Sequence, residues 1–440
     1  VTTSLSSCAS DRLELGGLRV TLMGLGRHGG GLGAARFLAA QGVRLTISDT
    51  ASADLLTESL IGLRDYPEIQ LRLGGHDPAD FSSADVIVVN PAVRPDHPCL
   101  QEARAAGVSL TSEIELFLER CPAHVIGVSG SNGKSTTCTM LFGILKRAGR
   151  RAWLGGNIGG SLLNELDHMT ADDVVVLELS SFQLAHLSAK ARLPEIAVLT
   201  NLSPNHLDWH DGFKSYTGAK QRLLWSEQVI LNTHDPVLAS WALQCPARVP
   251  PLTSLNDLPS LRVPGKHNRR NAACAAAAAS AIGVDWQSIH EALADFTGLE
   301  HRIEFVAEID GRHFFNDSKS TSPAAAIAAL KAMNRRTWLL LGGVSKGTEF
   351  HELAARAAER ACGVAVFGAA RHELAAASCK HAPELPLANV QTLDEAFAWC
   401  CSKSRSGDAI LLSPACASFD QYADFTARGE HFRERVRAIS

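Results

Sequence analysis

The sequence lacks a basic excess, a long apolar run, paired cysteines and internal repeats, and each absence closes off a class of function. The 440 residues carry a formal net charge of −4, so the cationic face that a nucleic acid requires is not expected. No apolar stretch approaches the roughly 20 residues that cross a bilayer, so no membrane insertion is expected. The alanine-rich segment Ala272–Ala279 is short, is interrupted by Cys274, and reads as a tightly packed helix. The opening segment Val1–Arg12 is polar and has no basic stretch ahead of an apolar one, so no signal peptide is expected. Eleven cysteines occur at irregular spacings with no C-x-x-C pair, several among apolar neighbours (Cys121, Cys138, Cys274, Cys362). The adjacent Cys400 and Cys401 cannot form an ordinary bridge. That pattern predicts reduced, buried thiols in a cytoplasmic protein, not a disulfide framework or a zinc site.

What the chain does have is alternation. At 440 residues it is long enough for two or three domains, and 46% hydrophobic with 20% charged residues is ordinary globular composition. Apolar strand-like runs alternate with helical stretches along the whole length, among them Leu18–Met23, Val86–Val89, His124–Val128, Val174–Leu179, Ile196–Leu199, Trp338–Leu341, Val364–Phe367 and Ala409–Leu412. This is the pattern of an α/β protein with mostly parallel sheets. Three blocks are expected: residues 1–111, 112–298 and 299–440. In such sheets ligands sit at the carboxyl ends of strands, so the residues just after each run carry the functional expectation.

In the first block, the strand ending at Met23 enters Gly24-Leu25-Gly26-Arg27-His28-Gly29-Gly30-Gly31, and a second strand ends at Asp49-Thr50. Glycines after a first strand let a phosphate approach backbone N–H groups, and an acid after the second is placed for a ribose or base. Arg27 and His28 can both meet a diphosphate, which favours a UDP-type ligand. A plain Rossmann-like turn without a ligand is the local alternative. In the second block, the strand His124–Val128 leads to Ser129 and then Gly130, Ser131, Asn132, Gly133, Lys134, Ser135 and Thr136, followed by a helix. Successive backbone N–H groups form an anion nest, Lys134 meets β- and γ-phosphates, and Ser135 or Thr136 can hold Mg²⁺. The strict Walker pattern has glycine where Val128 stands, so the match is partial, and ATP binding is predicted on the strand–loop–helix context.

An acid at the end of an apolar strand, Glu178, is costly to bury unpaired and points to a metal. His206, after the strand Ile196–Leu199, is either a second metal ligand or a satisfied histidine. Asn268 and Asn271 share a helix face and are placed to reach an adenine, with capping by Asn268 the local alternative. In the third block, Asp317, Lys319 and Thr321 put an acid, a cation and a hydroxyl on one loop, with a helix cap and a surface lysine as the plain alternative. Lys346 follows Gly342-Gly343, and Cys416, with no acid–base partner evident, reads as a packed thiol.

The segments GSNGKST, ELSSFQL, NHLDWH, GKHNRRN, FTGLEHR, NDSKST, GGVSKG and LSPACASFDQY stand in that order along the chain. So ordered, they resemble the Mur ligases over essentially the whole length, and most closely the type that adds D-glutamate to UDP-N-acetylmuramoyl-L-alanine. The resemblance implies a Rossmann-like N-terminal domain for the UDP substrate, a central P-loop ATPase domain, and a Rossmann-like C-terminal domain that binds the amino acid and closes over the site. It implies an ATP-dependent amide ligase of peptidoglycan synthesis that forms an acyl phosphate, acting as a monomer. It assigns two Mg²⁺ ions to Ser135, Glu178, His206 and Lys220, the lysine carbamylated by CO₂, although Lys220 alone reads as a solvated helix residue. It places Asn157 and His206 near the muramoyl substrate and Arg302 and Asp317 at ATP. It gives Lys346, Thr321, Ser418 and Phe425 to glutamate, with Lys319 nearby. The chain departs from that pattern at Ala92, where the family has glycine, at Ser322, where it has asparagine, near Val344 and Ser345, where it has an acid, and in a longer glycine loop over Arg27–Gly33. The competing expectations are the same scaffold with L-glutamate or another acceptor, a folylpolyglutamate synthase, and a nucleotide-binding regulator without turnover.

Overall fold

The structure is a computed structural model that describes residues 13–26, 30–345, 347 and 349–439. Among these residues the strands form three sheets. The first takes β1 (Arg19–Met23), β2 (Arg44–Asp49), β3 (Gln70–Leu73), β4 (Val86–Val89) and β5 (Ser109–Ser112) in the order β3-β2-β1-β4-β5. The second takes β6 (His124–Ser129), β7 (Ala152–Gly156), β8 (Val174–Glu178), β9 (Ile196–Leu199) and β10 (Gln228–Leu231) in the order β10-β9-β6-β8-β7. All pairings in these two sheets are parallel. The third takes β11 (Glu304–Ile309), β12 (Arg312–Asn316), β13 (Thr337–Gly342), β14 (Ala361–Phe367), β15 (Leu387–Asn389) and β16 (Ala409–Ala415) in the order β11-β12-β16-β13-β14-β15. Only its edge pair β11–β12 is antiparallel.

The unbroken apolar runs follow from this topology. A parallel strand covered by helices on both faces has no solvent side, so period-two alternation disappears. Every residue of β4, β8, β9, β13 and β16 is buried. The expected strands are present: Val86–Val89 and Ile196–Leu199 match at both ends, and the others have one or both ends moved by one to three residues. The alanine-rich segment lies inside the helix Lys266–Ala281, and Ala272–Ala279 is buried throughout. Small side chains there let the helix approach its neighbours closely. Cys99, Cys121, Cys138, Cys274, Cys400 and Cys416 are buried free thiols, and Cys401 is also free. Among the described residues no helix is long and apolar enough to cross a membrane.

The chain divides into two compact units. One holds the first two sheets and extends to Asp257, with Arg270–Ile289 added. The other holds the third sheet, with Leu258–Arg269 and His290–Ser440. The first unit has a continuous core running from Leu22 and Ile47 through Phe117 to Leu177 and Leu199. The second has a core on each face of its sheet, one around Leu339 and Leu411, the other around Phe314 and Phe397.

Candidate active site

In the second sheet the strand order puts β6 between β8 and β9, so the loops after these three strands meet. β6 runs into Gly130–Gly133, and the helix Lys134–Arg147 starts directly afterwards. Gly130 has φ 145° and Gly133 φ 81°. A β-carbon at Gly130 would stand 2.0 Å from Thr200 Oγ1, and one at Gly133 would stand 2.4 Å from Asn271 Oδ1. Both positions therefore require glycine on backbone conformation and on space. Thr200 Oγ1 donates to the Asn132 carbonyl at 2.6 Å, and Asn201 brackets the same peptide, donating to it at 2.8 Å and accepting from Asn132 N at 3.0 Å. Ser131 Oγ donates to the Ser203 carbonyl at 2.9 Å and lies 2.7 Å from the Tyr216 hydroxyl. The helix has no side-chain N-cap, so its first N–H groups open onto the cradle, together with half-buried Ser135 and Thr136. Lys134 Nζ lies over the loop, donating to the carbonyls of Gly130 at 3.1 Å and Ser131 at 3.2 Å.

β8 delivers Glu178, which is 1% exposed. Its Oε1 accepts from Asn157 Nδ2 at 2.8 Å, and Asn157 N donates to the Glu178 carbonyl at 2.9 Å. Its Oε2 is buried with no hydrogen-bond partner among the described residues. An unpartnered buried carboxylate oxygen is expensive, and a cation is the group that relieves it. Lys220 is also 1% exposed, on the helix Phe213–Gln221, which overturns the reading of a solvated lysine. Its Nζ donates to Ser129 Oγ and the Gly130 carbonyl, both at 3.1 Å, and lies 5.0 Å from the Tyr216 ring centre. Burial, and then the Lys134 charge, pull its pKa down to about 7 against an opposing contribution from Glu178. His206, after β9, adopts φ 51° and packs its ring 4.7 Å from that of Phe182. Burial, Lys134 and Lys220 all lower its pKa, so the imidazole is held neutral, the form that binds metals.

In the first sheet the order in which the chain adds strands reverses between β1 and β4, all strands staying parallel, and two clefts open there. One of about 620 Å³ is lined by Gly24, Asn90, Glu113, Asn157, Phe182 and Gln183. The other, about 580 Å³, is lined by Thr50, His76, Arg94 and His97. They share Gly24, Gly26, Asn90 and Ala92, and so form one trough from the β2 end to the Asn157–Glu178 pair. Asp49 is committed to the turn. Its Oδ2 accepts from Leu25 N at 2.8 Å and Gly26 N at 3.1 Å, and its Oδ1 from Ala51 N at 2.8 Å. It thus shapes the glycine loop, while exposed Thr50 faces the cleft. Arg27 and His28 lie outside the described residues.

Glu113 is a titratable group of this trough that sequence reasoning passed over. Ser161 Oγ donates to its Oε1 at 2.6 Å, and burial pushes its pKa up from 4.5 to about 7. A carboxyl whose folded-state pKa is raised stabilises fully below its unfolded pKa and loses that contribution as pH rises through about 7. Allowing for partial exposure, the loss is roughly 2 kcal/mol. Glu113→Gln keeps a hydrogen-bonding side chain and removes the titration. Urea unfolding should show the variant gaining about 2 kcal/mol on the parent between pH 4.5 and 8. A pH-independent difference would discard this account.

In the unit built on the third sheet, three strand-end loops lie together. Asp317, after β12, is 2% exposed; its carboxylate accepts from Ile303 N at 3.1 Å and Ser413 Oγ at 2.7 Å, and burial pushes its pKa up to about 6. Lys319 is exposed, with Nζ 5.5 Å from the Phe425 ring centre. Half-buried Thr321 precedes Ser322, and it is Ser322 that caps the following helix, not the charged residues of the loop. Ala415 N donates to the Ser320 carbonyl at 2.9 Å, and Val344 exchanges two backbone hydrogen bonds with Ala417. Lys319, Thr321, Ser418 and Phe425 are therefore carried by joined segments, whereas Lys346 lies outside the described residues. Arg302 is exposed in the same unit. Asn268 does not cap its helix: it lies in the first turn, and its Nδ2 donates to the Pro264 carbonyl at 2.7 Å.

Three family models match the chain, and each falls on one sheet. They are the Mur ligase MurD-like N-terminal domain at residues 18–112, the Mur ligase middle domain at 128–255, and the Mur ligase glutamate ligase domain at 301–416. The chain belongs to the Mur ligase family. A protein of Symbiobacterium thermophilum named UDP-N-acetylmuramoylalanine--D-glutamate ligase is 35% identical, over 96% of this chain and 98% of that one. A Nitrosococcus oceani protein of the same name is 37% identical, over 95% and 96%. The solved UDP-N-acetylmuramate–alanine ligase of Thermotoga maritima superposes with a TM-score of 0.55 at 20% identity, over 96% of this chain and all of that one. A solved UDP-N-acetylmuramoyl-L-alanyl-D-glutamate–2,6-diaminopimelate ligase gives 0.57 at 18%, over 80% and 92%. At these identities the likeness shows a shared fold and nothing beyond it. Family membership explains the order of the motifs. Thr200, Asn201 and Tyr216, which pin the phosphate loop, carried no expectation from the sequence; their signal there was a place just after β9 or on a polar helix.

Proposed function

We propose that the chain is an ATP-dependent ligase that joins D-glutamate to the L-alanine carboxylate of UDP-N-acetylmuramoyl-L-alanine, working as a monomer in cytoplasmic peptidoglycan precursor synthesis. The observation that carries this reading is the meeting of three things at the ends of β6, β8 and β9. These are an anion cradle with its lysine and, among the described residues, a buried carboxylate oxygen without a hydrogen-bond partner and a buried lysine outside any ion pair. In this reading residues 1–111 hold the UDP substrate, 112–298 hold ATP, and 299–440 hold the amino acid.

ATP lies on Gly130–Thr136, with Asn268 and Asn271 at the adenine and Arg302 and Asp317 as further contacts. The UDP group occupies the first-sheet trough near Arg27, His28, Asp49 and Thr50, and its muramoyl end reaches Asn157 and His206. Two Mg²⁺ ions would be held by Ser135, Glu178, His206 and a carbamate on Lys220. When bound they would supply positive charge against the triphosphate and the substrate carboxylate. The alanine carboxylate oxygen attacks the γ-phosphorus, and ADP leaves. Lys134 stabilises the charge that spreads over the transferring group. The neutral amine of glutamate then attacks the acyl carbon, phosphate departs, and the nitrogen loses a proton. Lys319, Thr321, Lys346, Ser418 and Phe425 hold the acceptor, whose two carboxylates match lysine and hydroxyl donors. Closure of the C-terminal domain keeps water from the acyl phosphate.

Phosphate release tests the reading. It should require ATP, UDP-N-acetylmuramoyl-L-alanine and D-glutamate together, with less than about a hundredth of that rate when L-glutamate or another amino acid replaces it. Equal rates with the two enantiomers would reassign the acceptor, and release without any acceptor would refute a ligase.

A further inference from the structure

Arg428 is completely buried on the helix Phe425–Arg437. A guanidinium loses strong hydration when buried and is normally matched by a carboxylate. Here no carboxylate among the described residues pairs with it, and it is satisfied by carbonyls and one hydroxyl. Nε donates to Ser318 Oγ at 3.0 Å, and one terminal nitrogen donates to the Ser318 carbonyl at 2.9 Å. The other terminal nitrogen donates to the carbonyls of Cys416 at 3.1 Å and Gly342 at 3.3 Å. Those acceptors sit on the loops that follow β12 and β16 and on Gly342, the last residue of β13, where the third loop begins. Ser318 Oγ in turn donates to the Phe425 carbonyl at 2.8 Å. Packing is tight as well: a β-carbon at Gly343 would come within 3.0 Å of the guanidinium and 2.0 Å of the Ala417 carbonyl.

One planar fork therefore spans the loops that carry Lys319, Thr321 and Ser418 and lead into Lys346. We propose that Arg428 is the positioning residue of the acceptor site: it fixes the three loops in register, and its charge, held by neutral acceptors and not in an ion pair, biases the site towards a doubly negative amino acid. This rests on the ligase reading above. A lysine cannot reproduce the role, because a single ammonium cannot reach four acceptors in a plane. Methionine fills similar volume and offers no donor.

The test uses the full chain and the variants Arg428→Lys, Arg428→Met and Arg428→Ala. Arg428→Met should raise the KM for glutamate at least about 30-fold, leaving the KM values for ATP and the UDP substrate within about twofold. Arg428→Lys should fall between parent and Met. Guanidinium ion at millimolar concentration should restore part of the loss in Arg428→Ala and do nothing for the parent. Hydrogen exchange supplies a readout that needs no chemistry: in all three variants, amides of 318–321, 343–345 and 415–418 should exchange at least tenfold faster, while β13 and β16 stay protected. An unchanged glutamate KM in the Met and Lys variants, or loops that stay as protected as in the parent, overturns the proposal. Uniform loss of protection across the third sheet also overturns it, since that marks a general stability role. If the parent releases no acceptor-dependent phosphate, the ligase reading fails, and exchange at the three loops still decides the positioning claim.

Discussion

Lys134→Ala should lower product formation by roughly 10³-fold or more while UDP-N-acetylmuramoyl-L-alanine binds with its affinity changed less than about twofold. The reason lies in where the lysine is. Its Nζ sits over the Gly130 and Ser131 carbonyls, on the rim of a cradle whose other donors are backbone N–H groups. Backbone donors remain when the side chain is cut, so ATP still has a seat. What disappears is the single mobile charge that follows the γ-phosphoryl group as its bonds loosen. Removing one well-placed stabiliser of developing charge costs about 3–4 kcal/mol, and a full positive charge on phosphoryl transfer lies at the upper end. The trough proposed for UDP runs from the ends of β1, β2 and β4 to Asn157 and shares no residue with the cradle, which is why its affinity should be spared. Single-turnover phosphate release and calorimetric binding of the UDP substrate check the two halves separately. Normal turnover would remove Lys134 from the chemistry.

The fold was largely legible before any coordinates, for a reason β8 illustrates. Its VVVLE is covered on both sides, so sequence hydrophobicity alone marks the strand and its end marks the site. The phosphate cradle was legible too, because Gly130 and Gly133 meet Thr200 and Asn271 where a side chain cannot fit. Glu178 was legible as an acid with nowhere to go. Lys220 and Arg428 were not, and the cause is shared. Each lies on a helix whose neighbours are polar, FKSYTGAKQ and FTARGEHFRERVR, so local pattern assigns it to solvent. Burial is imposed by loops distant in sequence, Ser129–Gly130 for the first and Ser318, Gly342 and Cys416 for the second. Asp49 shows the converse. Its position announced a ligand contact, and its carboxylate is spent on the backbone of the turn. Residue type and strand position predict that a group matters, while its hydrogen-bond partners decide how.

Lys220→Ala should lose activity by about 10³-fold and regain a measurable part of it when formate or acetate is added, which is the expectation if a carbamate on this lysine holds a metal. Addition of CO₂ requires an amine lone pair, and an ordinary exposed lysine at neutral pH offers almost none. Lys220 is different on two counts. It is enclosed, with Nζ donating to Ser129 Oγ and the Gly130 carbonyl and lying over the Tyr216 ring face. It also stands in the field of Lys134, so that burial and a like charge bring it to about 7. In carbamylation the amine nitrogen would form a bond to the carbon of CO₂ and release a proton, leaving an anionic carbamate in place of a cation. That change would reverse the electrostatics beside Glu178, whose Oε2 has no hydrogen-bond partner among the described residues. A cationic Lys220 would repel a metal there, and a carbamate would supply a further oxygen ligand. Truncation to alanine leaves a space the size of the lost side chain, into which a short carboxylate can bring the same anionic head. Full activity in the variant, with no response to added carboxylate, would reduce Lys220 to a packing residue. Loss of activity without rescue by formate or acetate, alongside rescue by bicarbonate in a Lys220→Arg variant, would also count against the carbamate, because arginine cannot form one.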